Sequence, residues 1–202
     1  MNRNRQVLLL KLATWILALS PLSWLAWLTF TRRLGVDGVD TLLRRMGDFT
    51  LIILLITLAI TPLRRLTGWN ILARIRRVVG LFAFFYLTLH FLVYLVLDQT
   101  LDWEFILEDL TKRPYAVVGF AAWLLLIPLA LTSTRGWVRR LGRRWHKLHK
   151  LVYVAGVLGL LHFYWQVKAD TLWPLVAATV YVVLLTLRIR PRAAPKRIQG
   201  EH

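Results

Sequence analysis

Apolar segments long enough to cross a lipid bilayer recur along the whole chain, and this feature constrains its fold more than any other. Six such runs span approximately residues 7–30, 49–63, 78–97, 115–132, 148–167 and 172–187. A helix needs about 20 apolar residues to cross about 30 Å of hydrocarbon. With 57% hydrophobic residues, the chain also has more apolar surface than a soluble domain can bury. We therefore predict an all-α membrane protein, a bundle of six transmembrane helices.

The ends of the apolar runs predict where the domain begins and stops. The second run is the shortest and is expected to end at Thr61-Pro62, because proline disfavours continued helix. The first run is too long for a secretory signal and lacks a clear cleavage site, so we expect a retained helix. We assign residues 1–189 to one transmembrane domain and 190–202 to a disordered basic tail. No internal repeat is evident.

The distribution of charge predicts the orientation of the bundle. The formal net charge is +17, but the basic residues fall in short blocks between apolar runs, which argues against a nucleic-acid partner. The second and fourth loops and the tail are rich in arginine and lysine, whereas the third loop carries five acids against Lys112 and Arg113. The positive-inside rule then places both termini in the cytoplasm. The first loop, which holds four arginines, fits this orientation poorly.

Two histidines lie inside apolar runs, His90 in the third and His162 in the fifth. An ionisable side chain within a membrane is a functional candidate by default. The chain has no cysteine, which excludes disulfides, thiolate ligation and covalent haem attachment. Imidazole is the remaining ligand type, and haem iron is the metal that this pattern favours. In the predicted orientation both rings lie towards the outer leaflet, where they can face one another; a simple hydrogen bond between helices is the structural alternative.

A third histidine, His149, is expected at the cytoplasmic start of the fifth helix, about 20 Å below His162 at 1.5 Å per residue. This separation suits two cofactors stacked across the bilayer, but thirteen steps of about 100° place the two side chains roughly 140° apart on an ideal helix. The third helix offers Arg76 and Arg77 where an inner partner would lie. The candidates for a second inner ligand are Arg76, His146 and water; alternatively there is no second haem, and His149 is an interfacial ring.

The order and spacing of several short motifs resemble one known family. The motifs are Arg-Arg-Val-Val-Gly-Leu at 76–81 before His90, Thr-Lys-Arg-Pro-Tyr at 111–115 followed by Gly119, Leu-Ala-Leu-Thr-Ser-Thr at 129–134, the segment 141–153 around His149, and His-Phe-Tyr-Trp at 162–165. Together they cover nearly the whole chain. On these residues the chain resembles the MsrQ (YedZ) family of haem-binding membrane subunits, within the ferric-reductase-like transmembrane superfamily.

The resemblance implies a function in electron transfer. Members of this family are b-type haem proteins of the bacterial inner membrane, associated also with FMN. They take electrons from a cytosolic flavin reductase or the quinone pool and pass them to MsrP, a periplasmic molybdenum-cofactor methionine-sulfoxide reductase. By resemblance His90, His149 and His162 are haem-iron ligands, for one or two haems. Arg76 stands where the wider superfamily has a histidine, so it is a candidate second ligand of the inner haem.

The apolar bundle leaves no room for a flavin, nicotinamide or sulfoxide-reducing domain. We therefore expect the chain to be an electron-transfer subunit whose donor and substrate-reducing site are separate molecules. Two alternatives stay open. The first is a self-contained quinol or metal-ion reductase. The second is a small transporter that uses the same histidines as a proton relay, although broken helices and repeats, which are typical of transporters, are not evident.

Overall fold

The chain folds into a helical bundle, which confirms the predicted all-α membrane protein. A computed structural model describes residues 3–167 and 169–189, and regular structure in this part of the chain is entirely helical. The α-helices are α1 (Arg3–Phe30), α2 (Gly38–Thr67), α3 (Arg76–Val93), α4 (Trp103–Lys112), α5 (Pro114–Leu131), α6 (Arg135–Leu141), α7 (Arg143–Leu148), α8 (Leu151–Gln166) and α9 (Leu172–Ile189). The tail predicted for residues 190–202 lies outside the described residues.

Five segments are long and apolar enough to cross a membrane: α1, α2, α3 with the π-helical turn Tyr94–Asp98, α5, and the stretch from α7 through α8. The last helix, α9, is a shorter apolar helix. All six predicted runs are therefore helical. The loops hold additional helices: α4 lies in the acidic third loop, and α6 and α7 lie in the basic fourth loop.

Two helix pairs form the centre of the bundle. α2 packs along α3, and α5 packs along α8, while α9 packs against α2 and α8. The largest buried cluster joins α1, α2 and α3 around Leu25, Ile53, Phe82 and Tyr86. Histidines on α3 and α8 therefore belong to different pairs, and they can meet only where the two pairs face each other.

The second helix does not end at Pro62, so the predicted stop is wrong. α2 continues to Thr67, with Gly68 in a left-handed conformation as its C-cap. Proline at position 62 removes the N–H that would bond the Leu58 carbonyl. Arg188 on α9 supplies the missing donor: its Nε lies 3.0 Å from the Leu58 oxygen, and it also donates to the Tyr153 hydroxyl at 2.9 Å. A tertiary contact thus satisfies the carbonyl that the proline leaves free.

A side chain of α3 fixes α1 to the bundle next to a second proline. Pro21 interrupts the hydrogen-bond ladder of α1. The carbonyl that Pro21 leaves free is that of Leu17, which accepts from the Ser20 hydroxyl at 3.0 Å. The fully buried Tyr86 of α3 binds the next rung, accepting from the Leu22 N–H at 3.1 Å and donating to the Ala18 carbonyl at 2.7 Å. This side chain positions the helix that precedes the two central pairs.

Candidate functional site

The structure brings His90 and His162 together, as the sequence predicts. Their ring centroids lie 6.1 Å apart, and the ring planes are nearly perpendicular, at 83°. Two imidazoles that bind one metal ion from opposite sides, with bonds of about 2.0 Å and about 1.2 Å from nitrogen to ring centre, have centroids about 6.4 Å apart. The two rings therefore have the separation of a pair of axial ligands.

The hydrogen bonds of both rings leave the same nitrogen for a ligand. Nδ1 of His90 lies 3.0 Å from the Leu43 carbonyl oxygen, and Nδ1 of His162 lies 2.7 Å from the Tyr115 carbonyl oxygen. A carbonyl can only accept, so each Nδ1 carries the proton and donates it. Nε2 then presents a lone pair. A hydrogen bond from the other ring nitrogen is the usual way in which proteins orient a metal-binding histidine.

A glycine one turn after each acceptor carbonyl faces the histidine ring. A Cβ added to Gly119 would lie 2.7 Å from Nδ1 of His162, closer than any real contact, so only glycine permits this approach. A Cβ added to Gly47 would meet the His90 ring at 3.5 Å, an ordinary contact distance. The acceptor, the glycine and the histidine recur at a fixed offset of 72 positions. The recurrence is one of geometry at three positions, with different residues at 43 and 115, so the absence of an internal sequence repeat stays a prediction.

The two rings line a cavity of about 470 Å³ enclosed by α2, α3, α4, α5 and α8. Aromatic side chains form much of its wall; Phe91 packs against Trp123, for example, with centroids 4.5 Å apart. Its volume falls within the range of cofactor pockets, about 300–1,000 Å³. Three acids and one arginine also line this cavity, which we call the outer cavity after the orientation predicted from the sequence: Asp40, Asp98, Asp109 and Arg113.

Charged groups of α4 flank the outer cavity. Arg113 makes an ion pair with Asp109 and donates to the Tyr115 hydroxyl, each at 3.1 Å. The hydrogen bond to Tyr115 and the neighbouring carboxylates raise the pKa of Arg113, so its positive charge is permanent. On the exposed face of α4, pairing with Lys112 lowers the pKa of the Glu108 carboxyl. The third loop thus places a fixed cation beside the histidines.

The third histidine lies in a turn rather than in α8. His149 is the C-cap of α7, and α8 begins at Leu151. His149 thus lies two residues before α8 but within the apolar stretch Arg143–Gln166, at the start of the fifth span as expected. The predicted angular offset agrees with the two rings lining different cavities. Its ring stacks on Trp145 with centroids 3.8 Å apart, and its Nδ1 lies 3.2 Å from the Trp145 carbonyl oxygen. Trp145 is itself held by a 3.0 Å hydrogen bond from its indole N–H to the Thr132 carbonyl.

The free nitrogen of His149 is buried. Among the side-chain nitrogens and oxygens of residues 4–167 and 169–188, its Nε2 is the one that is both buried and without a hydrogen-bond partner. An unpartnered buried polar atom costs about 1–3 kcal/mol. The nearby Leu129 carbonyl interacts with the His149 ring and offsets part of this cost; a metal bound at Nε2 would offset the rest.

His149 lines a second, larger cavity of about 780 Å³. We call it the inner cavity after the predicted orientation. Arg76 lines it from the start of α3, as the sequence predicts for a candidate second ligand. Arg77, which the sequence analysis names beside Arg76, also lines the cavity. Sequence reasoning did not assign the two further arginines of the wall, Arg135 and Arg139, to this site. The other candidate, His146, is exposed, contacts the edge of Trp145 and does not line the cavity.

Similarity to known proteins bears on these two cavities. Residues 46–160 match the family described as ferric reductase like transmembrane component. A protein-methionine-sulfoxide reductase heme-binding subunit MsrQ of Xanthomonas campestris pv. campestris (strain 8004) is 46% identical over 207 aligned residues, which cover 100% of this chain and 95% of the relative. The chain belongs to the MsrQ family. Proteins of the same name from Ralstonia nicotianae and Herminiimonas arsenicoxydans are 52% and 49% identical over 89% and 91% of this MsrQ-family chain, and over 84% and 86% of their own lengths.

The resemblance given by the sequence motifs is therefore confirmed. No solved structure matches the chain. The stretch matched to the ferric reductase like family contains His90, Gly119 and His149, and it ends two residues before His162. Membership, together with the long apolar helices, makes this MsrQ-family chain a multi-pass membrane protein.

Proposed function

We propose that the chain is a b-type haem subunit that carries electrons across the bacterial inner membrane. In this proposal His90 and His162 are the axial ligands of an outer haem. The observation that carries it is the paired geometry of the rings, 6.1 Å apart with each Nδ1 held by a carbonyl. The name of the relatives, heme-binding subunit, supports the choice of cofactor.

An inner haem is proposed in the cavity beside the basic fourth loop. The buried, unpartnered Nε2 of His149 would be one ligand, and Arg76 in the same cavity wall would supply the second position. The surrounding arginines suit an anionic cofactor: they would neutralise haem propionates or, if the cavity holds FMN, its phosphate. Two cavities at opposite ends of the bundle would let one chain connect the two faces of the membrane.

Haem supplies reversible one-electron chemistry, and the protein supplies its setting. The histidine side chains would hold the iron, and their Nδ1 hydrogen bonds would raise the basicity of the ligand nitrogen. The aromatic and aliphatic side chains of the cavity walls would pack against the apolar faces of the ring system. The proposed donor is a cytosolic flavin reductase or the quinone pool, and the proposed acceptor is the periplasmic molybdenum-cofactor subunit MsrP; the name shared by the relatives, a subunit of a methionine-sulfoxide reductase, supports the latter.

Haem counting tests the outer site. We expect the purified wild-type chain to hold b haem, and His90→Ala and His162→Ala each to lose the outer one. The measurements are haem per chain from the pyridine haemochrome and the low-spin signals in electron paramagnetic resonance. Full haem content with an unchanged reduced spectrum in both variants would refute the assignment.

The inner site is tested by comparing His149→Ala with Arg76→Ala. Loss of a second haem signal in both variants supports the proposed pair, whereas loss only in His149→Ala removes Arg76 as a ligand. Extraction of the bound pigment distinguishes the cofactors, because FMN in place of a second haem would assign the inner cavity to flavin.

The choice of acceptor is tested kinetically. We expect reduced haem to be reoxidised much faster by MsrP than by ferric chelates. Equal rates would favour the alternative of a self-contained metal-ion reductase, and a colourless preparation from haem-replete cells would favour a transporter.

A further inference from the structure

The outer cavity has an uneven distribution of charge. Asp40, Asp98 and Asp109 line it, and Arg113 is the one cation among its described lining residues. Haem carries two propionate carboxylates, which three acidic neighbours would repel. A haem in this cavity therefore needs a cationic partner, and the lining offers a single arginine for that purpose.

Arg113 and His162 are both hydrogen-bonded to Tyr115. The backbone carbonyl of Tyr115 accepts from Nδ1 of His162 at 2.7 Å, and its hydroxyl accepts from Arg113 at 3.1 Å. The ring centroids of Tyr115 and His162 are 6.0 Å apart. One residue at the start of α5 thus fixes both the iron ligand and the guanidinium.

The guanidinium retains donors for a ligand. Its Nε contacts Asp109 and one terminal nitrogen contacts Tyr115, whereas a guanidinium has five N–H donors. Asp109 is held in turn by the Tyr94 hydroxyl at 3.3 Å, and its side chain is only 13% exposed. Asp109 is therefore a fixed carboxylate that orients Arg113 at the cavity wall.

We propose that Arg113 is the anchor for a propionate of the outer haem, with Asp109 and Tyr115 as the residues that position it. This inference rests on the proposed function, because it requires a haem between His90 and His162. Arginine suits the task, since its planar fork binds a carboxylate through two parallel hydrogen bonds. The predicted ligand chemistry is a carboxylate on the edge of a planar apolar ring system.

The test compares Arg113→Gln with Asp109→Asn in the full-length holoprotein, with Arg33→Gln as a charge-matched control. Arg33 is an exposed arginine over the Trp27 ring, outside the cavity lining. The readout is the rate at which haem passes to excess apomyoglobin. We expect Arg113→Gln to accelerate haem loss about tenfold, the effect of losing one charge-assisted hydrogen bond. Arg33→Gln should leave the rate unchanged. Asp109→Asn keeps an oxygen that can accept from Arg113 and should accelerate haem loss by clearly less than Arg113→Gln.

A second measurement separates a propionate anchor from a structural ion pair. Apoprotein from haem-starved cells is reconstituted with iron protoporphyrin IX or with its dimethyl ester, which lacks the two negative charges. The difference between wild type and Arg113→Gln should disappear with the ester. Equal acceleration in Arg113→Gln and Asp109→Asn, with no further effect in the double variant, would overturn the proposal. The same holds if the tenfold ratio persists with the ester.

The His162→Ala variant distinguishes failure of the propionate anchor from failure of the proposed function. If it loses the outer haem while Arg113→Gln retains wild-type kinetics, the proposed function stands and the propionate anchor is wrong. If His162→Ala retains the haem at the wild-type loss rate, the histidine pair is not the haem site, and both proposals fail.

Discussion

Each outer histidine is held at the residue scale by a carbonyl and a glycine on the neighbouring helix. On α2 these are Leu43 and Gly47, and on α5 they are Tyr115 and Gly119. The offset between the acceptor and the histidine is 47 positions in both cases. Gly119 lies closer to the His162 ring than Gly47 lies to the His90 ring. This difference allows the two glycines to be compared in a matched test.

Gly119→Ala is expected to abolish or severely reduce outer-haem binding, because the new methyl group would lie 2.7 Å from Nδ1 of His162. Alanine is about 1 kcal/mol better than glycine in a helix interior, so helix propensity cannot explain a loss. Gly47→Ala, with a 3.5 Å contact, should retain at least most of the haem. Haem per chain measures both. Equal haem content in the two variants would contradict a steric role for Gly119.

Trp145 is expected to orient His149 by stacking. Trp145→Phe retains an aromatic face but loses the bond to Thr132, whereas Trp145→Ala loses both contacts. Stacking contributes about 0.5–1.5 kcal/mol, so the alanine variant should alter the inner-site resonance signal more than the phenylalanine variant. The signal of the outer site is the internal control and should not move. An inner-site signal that is identical in both variants would argue against this role.

At the scale of elements, prolines and the side chains that compensate them decide how the helices pack. Pro62 lies inside α2 and Pro21 lies inside α1. In each case a side chain from another helix reaches the interrupted ladder: Arg188 binds the Leu58 carbonyl, and Tyr86 bridges Ala18 and Leu22. The interruptions therefore serve as docking points for α9 and α3.

Arg188→Ala is expected to destabilise the bundle by about 1–3 kcal/mol, because the Leu58 carbonyl loses its donor. Pro62→Ala restores an N–H for that carbonyl, so the cost of Arg188→Ala should be smaller in a Pro62→Ala background. Thermal unfolding in detergent, followed by tryptophan fluorescence, measures the four proteins of this double-mutant cycle. Tyr153→Phe is the control that removes only the hydroxyl contact of Arg188. Strict additivity would show that Arg188 does not compensate for Pro62.

At the scale of the whole molecule, the two cavities differ in charge, so the two ends of the bundle are electrostatically distinct. The inner cavity is lined by four arginines and His149. The outer cavity is lined by three acids and a single arginine among the described residues. A cation-rich inner end and an acid-rich outer end are what the positive-inside rule favours.

Reporter fusions test the predicted orientation. We expect a fluorescent protein fused to the C-terminus to fluoresce, which requires a cytoplasmic location. Alkaline phosphatase inserted at Thr100 in the third loop should be active, because it functions only outside the cytoplasm. The same insertion at Gly68 in the second loop should be inactive. The reverse pattern of activity would invert the proposed direction of electron flow.

Much of the architecture could be predicted from the sequence. Hydropathy gave the six helical runs, because lipid leaves the backbone no pairing option except a helix in such segments. The absence of cysteine and the two intramembrane histidines directed attention to imidazole ligands. The fixed offset of 72 positions, which links Gly47 to Gly119 and His90 to His162, was also present in the sequence and could have identified the repeated arrangement.

Only the tertiary structure decided which backbone carbonyls hold the rings, since every residue carries one and nothing in the sequence distinguishes Leu43 or Tyr115 as an acceptor. Continuation of α2 past Pro62 depended on Arg188, which is far away in the chain. The tertiary structure also placed His149 and His162 on separate cavities, where the angular offset between them creates no conflict. The physical reason is the same in each case. Hydropathy and periodicity are properties of neighbouring residues, whereas these outcomes depend on donors and acceptors that meet only when distant helices pack.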